Sequence, residues 1–158
     1  MTGRAEVARL RQRLDATFKR AGDLPPDSDS ELLSDFARYL CVLVSGFLEQ
    51  ATIELLLEHV RNQASPSIQL HVERRLRQFT NANAQRLLEL LGSFEADWRR
   101  EMEAYLVDEY KDAVDGIVDL KNTISHGRFV GVTIARATDY YGRVTDVVDR
   151  IADLCLPN

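Results

Sequence analysis

A chain of 158 residues is the size of one domain, and its 45% hydrophobic and 28% charged residues exclude a disordered protein. The formal net charge of −5 excludes nucleic-acid binding over the whole surface, so any RNA contact has to come from a local site. Cys41 and Cys155 have no metal-ligand spacing, and Cys41 lies in an apolar run, as a buried free thiol does; this suits a reducing, cytoplasmic setting.

Eight glycines and four prolines, with apolar residues recurring at three and four and no sustained alternation, predict helices nearly throughout. The first 24 residues mix Arg4, Arg9, Arg11, Arg13, Lys19 and Arg20 with acids and contain no apolar stretch of signal-peptide length. About residues 4–21 form a first helix with Val7, Leu10, Leu14 and Phe18 on one stripe, and residues 21–26 end it in a linker. Ser28 and Glu31 have the spacing of a capping box. The long second helix they open runs to about Ala64, with Phe36, Leu40, Leu43, Phe47 and Leu55 on its buried stripe. Residues 39–48, its longest uncharged apolar run, fall short of the about 20 residues a membrane crossing needs, so no membrane contact is expected. Gly46 in mid-helix costs about 1 kcal/mol against alanine, which predicts a neighbouring helix in close approach. Ser65 and Pro66 stop this helix.

A third helix is predicted over residues 67–79, a break over 80–83, a short fourth helix over 84–91 ending at Gly92, and a fifth over 94–106. Phe94, Trp98 and Tyr105 are spaced for packing and belong to the core. The sixth helix, residues 109–126, carries Tyr110, Val114, Ile117, Val118, Leu120 and Ile124, and Gly127 terminates it. Thr133 caps a seventh with Ile134, Ala137, Tyr141, Val144, Val148 and Ile151 inward. Of Tyr140 and Tyr141, one is expected to pack and the other to face solvent or a partner subunit; His59 and His71, among charged residues, read as surface histidines. The fold expected is an all-α, up-and-down bundle of about six or seven helices in one domain, residues 1–158, with the helix at 4–21 open to a peripheral place.

Lys121, Asn122, Ser125 and His126 interrupt the regular pattern of the sixth helix. Asn122 and His126 are four apart and share a face; Lys121 is about 100 degrees round, and its long stem can reach the same place. His126 sits where helix-terminal carbonyls concentrate negative partial charge. An imidazole able to exchange protons, a cation and an amide are the parts needed to cleave RNA without a metal: a base takes the ribose 2′-hydroxyl proton, and a cation offsets the charge on the phosphorus centre. The same residues at the same spacing also fit a helix cap beside a solvated charge, and both readings stay open on spacing alone.

Lys121-Asn122-Thr123-Ile124-Ser125-His126-Gly127 resembles the Arg-Asn-x-Ile-Ala-His-Gly hallmark of the HEPN superfamily, in its RiboL-PSP-HEPN branch. Residues 33–40 and 45–49 resemble that branch's long second helix, and residues 115–120 resemble the approach to the motif, so the likeness runs from about Ser30 onward. The resemblance implies a HEPN-type helical bundle that homodimerises through its motif helices. Many members are metal-independent endoribonucleases with a composite site, among them toxins and phage-defence effectors; others are silent modules that bind a nucleotide, RNA or a protein partner such as an antitoxin. Carried over by position, His126 is the general base or acid, Asn122 orients the phosphate or the imidazole, and Lys121 stands where the family has arginine. Lysine lacks the planar fork that grips phosphate in two places. Arg128 stands where a tyrosine is frequent in one subgroup, and it is placed to donate to a phosphate beside Ser125.

Glu49 sits where a glutamate is common in the family, and reads equally as support for the motif or as a helix-surface acid. Asp115 and Asp119, four apart, are candidates to orient Lys121 or His126, or solvated acids on an exposed face. No compact His, Cys, Asp and Glu set exists, so neither a metal nor a cofactor is expected. Arg74, Arg75 and Arg77, with Arg86, Arg99 and Arg100, form the best basic patch, ordinarily a solvated helix face and otherwise a path for phosphates toward the motif.

Overall fold

The computed structural model describes residues 2–158 and has, among them, seven helices and no strand: α1 (Gly3–Gly22), α2 (Ser30–Gln63), α3 (Pro66–Leu76), α4 (Ala84–Phe94), α5 (Ala96–Tyr105), α6 (Asp108–Ser125) and α7 (Ile134–Cys155). A 34-residue helix with apolar residues on most of its circumference has to be surrounded, and α2 is the axis of the bundle. It is long and apolar enough to cross a membrane, and 67% of its most apolar stretch is buried inside this fold. α1, α6 and α7 pack along it, and α3 packs near its C-terminal end. Leu40, Leu48, Leu55 and Leu56 of α2 meet Val114 and Ile117 of α6 and Val144, Val148 and Ile151 of α7 in one continuous core, all at 0% exposure. Burying each such side chain contributes about 1.5–3 kcal/mol. α1 is tied in as firmly: Val7, Leu14 and Ala21 are buried, and Phe18 stacks on Tyr141 with ring centroids 4.6 Å apart.

Several local expectations are corrected. Ser28 does not cap α2, because its hydroxyl donates to the Pro25 carbonyl at 2.6 Å within a turn; Asp29 is the cap, its Oδ1 accepting from the amides of Glu31 and Leu32 at 2.8 and 3.2 Å. Gly46 has no atom near the place a Cβ would occupy, and it lines an open groove between α1 and α2 instead of admitting a helix. α3 ends at Leu76, before Phe79, in a turn at Arg77 and Gln78. α4 runs through Gly92 to Phe94; a Cβ at Gly92 would lie 3.0 Å from Arg99 Cδ, so the missing side chain admits α5.

Tyr140 and Tyr141 are both buried, at 9% exposure. Tyr141 Oη donates to Asp15 Oδ1 at 2.6 Å, and burial together with that carboxylate pushes its phenol well up. Tyr140 lies over Gly116 of α6, where an added Cβ would stand 2.7 Å from its hydroxyl oxygen. His59 is half-buried, edge-on to Trp98 at 4.7 Å and with Nδ1 3.1 Å from the Cys155 carbonyl oxygen; His71 is exposed as expected. Trp98 is buried, with Phe94 and Tyr105 packed against the core. Both cysteines are free and buried, and burial pushes the Cys41 thiol up to about 11 and the Cys155 thiol up to about 12.

Candidate functional site

α6 carries the motif on its last turn, and its first three turns explain why the motif is held still. Ala113, Val114, Ile117 and Val118 are buried against α2 and α7, while Asp108 and Glu109 place negative charge at the N-terminal end, where the helix dipole favours it. Past Val118 the exposure rises: Lys121 and Asn122 are half-buried, and Ser125, His126 and Arg128 are exposed.

The end of α6 is closed by backbone alone. Gly127 adopts φ +72, the left-handed conformation that glycine takes without penalty. That lets the Arg128 amide bond the Thr123 carbonyl at 3.1 Å and the Gly127 amide bond the Ile124 carbonyl at 3.0 Å, while the His126 amide bonds Asn122 at 3.0 Å. This is the Schellman arrangement of a helix C-terminus. The carbonyls of Asn122, Thr123 and Ile124 are therefore taken by backbone amides, and the His126 ring has no hydrogen-bond partner among the described residues. Of the two readings open on spacing, the cap is the one the backbone makes unnecessary.

Lys121 is anchored, and the anchor was not foreseen. Its ammonium donates to Asn81 Oδ1 at 2.8 Å, across 40 residues of chain. Asn81 lies between α3 and α4 with φ +56, a left-handed conformation that asparagine tolerates better than most residues. The Asn81 amide in turn donates to Glu49 Oε1 at 2.8 Å. Glu49 thus acts on the motif at one remove, holding the loop whose side chain holds Lys121. An asparagine in a break between helices was the available signal. Its pairing with a lysine 40 positions on was not readable. One of the three ammonium donors is spent on Asn81, which leaves two for a ligand.

Asp115 serves the scaffold: Oδ1 accepts from the Ala84 amide at the start of α4 at 2.8 Å, and Oδ2 pairs with Lys111 at 2.9 Å, a bond that raises the Lys111 amine above its ordinary range. Asp119 lines a cleft of about 300 Å³ with Asn83, Gln85, Lys111 and Asp115, and its carboxylate bonds none of Lys121, Asn122 or His126. Asn122, Ser125 and Arg128 stand on the motif turn with side chains unbonded among the described residues. No three of His, Cys, Asp and Glu among the described residues gather closely enough to hold a metal ion. The arrangement offers a positioned amine, a carboxamide and an exposed imidazole on one helix end.

Replacing Asn81 separates backbone from side chain. Asn81→Gly keeps the left-handed turn and removes the Lys121 acceptor, whereas Asn81→Ala adds left-handed strain of about 1–2 kcal/mol. Urea unfolding is expected to place the alanine variant below the glycine variant by that amount; equal midpoints would show that the turn does not depend on its left-handed residue.

No curated protein and no solved structure matches this chain. The family model described as RiboL-PSP-HEPN matches residues 7–156, which takes in α1 as well as the motif and covers nearly the whole chain. The chain belongs to the RiboL-PSP-HEPN family.

Proposed function

We propose that this HEPN module is a metal-independent endoribonuclease, acting as a toxin or phage-defence effector through a site completed by a second copy of the chain. The observation that carries the reading is the helix end: Gly127 caps α6, so the His126 ring is exposed and unbonded among the described residues, one turn past Asn122 on the helix whose Lys121 is tied to Asn81. In the reaction, the ribose 2′-oxygen forms a bond to phosphorus as its proton passes to an imidazole. The bond from phosphorus to the 5′-oxygen breaks, and that oxygen takes a proton as it leaves. The products are a 2′,3′-cyclic phosphate and a 5′-hydroxyl, with no outside nucleophile or metal consumed. Lys121, with Asn122, would offset the charge on the non-bridging oxygens, and Arg128 is near enough in sequence to add a fork-shaped donor.

A second copy is supported by what surrounds the motif. Phe129, three residues past His126, is 84% exposed, and Arg38 ties its segment to α2 by a hydrogen bond to the Val130 carbonyl at 3.3 Å and by lying 5.4 Å from the Phe129 ring centre. Leu32 and Tyr39, on the same stretch of α2, are 56% and 54% exposed. Exposed apolar side chains on the segment that follows the motif, and on the α2 stretch that Arg38 joins to it, are what a self-complementary twofold contact uses. Light scattering that reports a monomer at micromolar concentration would remove the composite site.

A non-catalytic module that binds a nucleotide, RNA or a protein partner such as an antitoxin is the second reading, favoured by one observation: the Lys121 ammonium already has an internal partner in Asn81. Cleavage of single-stranded RNA in excess chelator, with His126→Ala as comparison, separates the two.

A further inference from the structure

The basic residues of the α3–α5 region meet different fates in the fold. Arg77 pairs with Glu54 and Glu73, Arg99 with Glu103, and Arg100 with Asp97, so those charges are met locally. Arg75 and Arg86 have no ion pair among the described residues, and they line the same groove of about 750 Å³, one from α3 and one from α4. The groove exists because its two walls belong to different packings: α3 rests on α2, and α4 on α5 and α6. Its floor is apolar, with Leu76 and Phe79 buried and Val72, Leu90 and Phe94 half-buried. His71, Gln78 and Ser93 complete the rim, and none of its lining residues is a carboxylate.

In a chain with a net charge of −5, a groove with two unpaired guanidiniums and no acid on its lining is a local reversal of sign. Glu89 lines an adjoining hollow and accepts from Gln85 at 3.1 Å. The Arg86 guanidinium lies 5.9 Å from the centre of the Phe79 ring, which holds it over the groove while its in-plane donors stay available. From Phe79 on the floor to Asn81, the partner of Lys121, is two residues, at most about 7 Å of chain. The chain that lines the groove at Phe79 therefore leads directly into the loop that anchors the motif lysine.

We propose that the α3–α4 groove is a phosphate track for single-stranded RNA, in which Arg75 and Arg86 hold backbone phosphates of the strand that passes on to Lys121, Asn122 and His126. Only the onward path rests on the nuclease reading; the groove's own ligand does not. Arginine forks suit phosphate oxygens, and an aromatic and aliphatic floor tolerates any base, so the track carries affinity without sequence preference. Binding of an acidic protein in place of RNA is one of the outcomes of the test.

The test uses the full chain carrying His126→Ala, so the strand stays intact, and a fluorescein-labelled oligouridylate of about 12 nucleotides, read by anisotropy between about 50 and 200 mM salt. Arg75→Gln with Arg86→Gln is expected to weaken binding about tenfold or more. It should also lower the slope of log affinity against log salt by about 1.4, two phosphate contacts at about 0.7 each. Arg13→Gln with Lys19→Gln, the same change of charge on α1, is expected to leave both readings nearly unchanged. Equal losses in the two double variants, or loss in neither, overturn the track. So does a parent that binds no RNA, including one that binds an acidic protein instead. Should the groove variant fail to fold, the parent decides alone: a salt slope below about 1.4 overturns the track. A protein that binds RNA through this groove and cleaves none sinks the nuclease reading and leaves the track standing. One that cleaves RNA with binding unchanged by the Arg75 and Arg86 substitutions does the reverse.

Discussion

His126→Ala is expected to lower cleavage of single-stranded RNA, in excess chelator, by about 10²–10⁴-fold, the range that a positioned acid or base contributes. The expectation follows from where the ring stands. Its backbone closes α6 through bonds that alanine keeps, since the amides of His126, Gly127 and Arg128 do the capping. The ring itself is exposed and bonds nothing among the described residues, so its removal should change stability by no more than about 0.5 kcal/mol. Activity and stability are thereby uncoupled, and a fall in cleavage cannot be laid to unfolding. Equal product from wild type and variant, with matched melting curves, would end the nuclease reading. Lys121→Arg belongs in the same assay. If the missing fork limits turnover, the arginine variant should be faster than the parent; if the bond to Asn81 matters more, the longer side chain gains nothing.

The second large effect lies in the core. Ile117→Ala is expected to cost about 2–5 kcal/mol, because Ile117 is at 0% exposure where α6 meets α2 and α7, and a tightly packed site of that kind cannot collapse around a missing side chain. For a domain of this size that corresponds to a melting temperature lower by about 4–20 °C. The chemistry is untouched, since Ile117 stands more than a turn before the motif on the buried face. Cleavage per folded molecule well below the folding midpoint should therefore stay near that of the parent. A loss under about 1 kcal/mol would mean that α6 is not fastened by its apolar face, and the argument that its first turns hold the motif still would go with it.

The helices are legible because their apolar residues recur with the helical period: the spacing predicts about six or seven, and seven are found among the described residues. The boundaries that moved did so for tertiary reasons. Gly92 reads as a stop because glycine is a poor helix former, yet α4 continues through it to Phe94, and the missing side chain leaves room for Arg99 of α5. The mid-helix position of Gly46 predicts a close contact, and the residue is open because it lines a groove between α1 and α2. Tyr140 and Tyr141 are neighbours in the chain, which puts them about 100 degrees apart on a helix; both are buried because α7 is covered on two sides, by α6 over Tyr140 and by α1 over Tyr141. His59 was read by the charge of its neighbours in sequence, and in space its neighbours are Trp98 and Phe94.

What the sequence determined by itself is the helical content, the stop at Gly127 and the gathering of Lys121, Asn122, Ser125 and His126 at the C-terminal end of α6, because each rests on spacings of three to five residues that local geometry enforces. What only the tertiary structure decided is which of these groups is held and which is free. The bonds that join Glu49 to Asn81 and Asn81 to Lys121 span 32 and 40 residues, and the arginines of the groove come from two helices with different neighbours. Contacts between distant segments depend on how the apolar faces dock, and docking leaves no periodic mark on the residues it brings together.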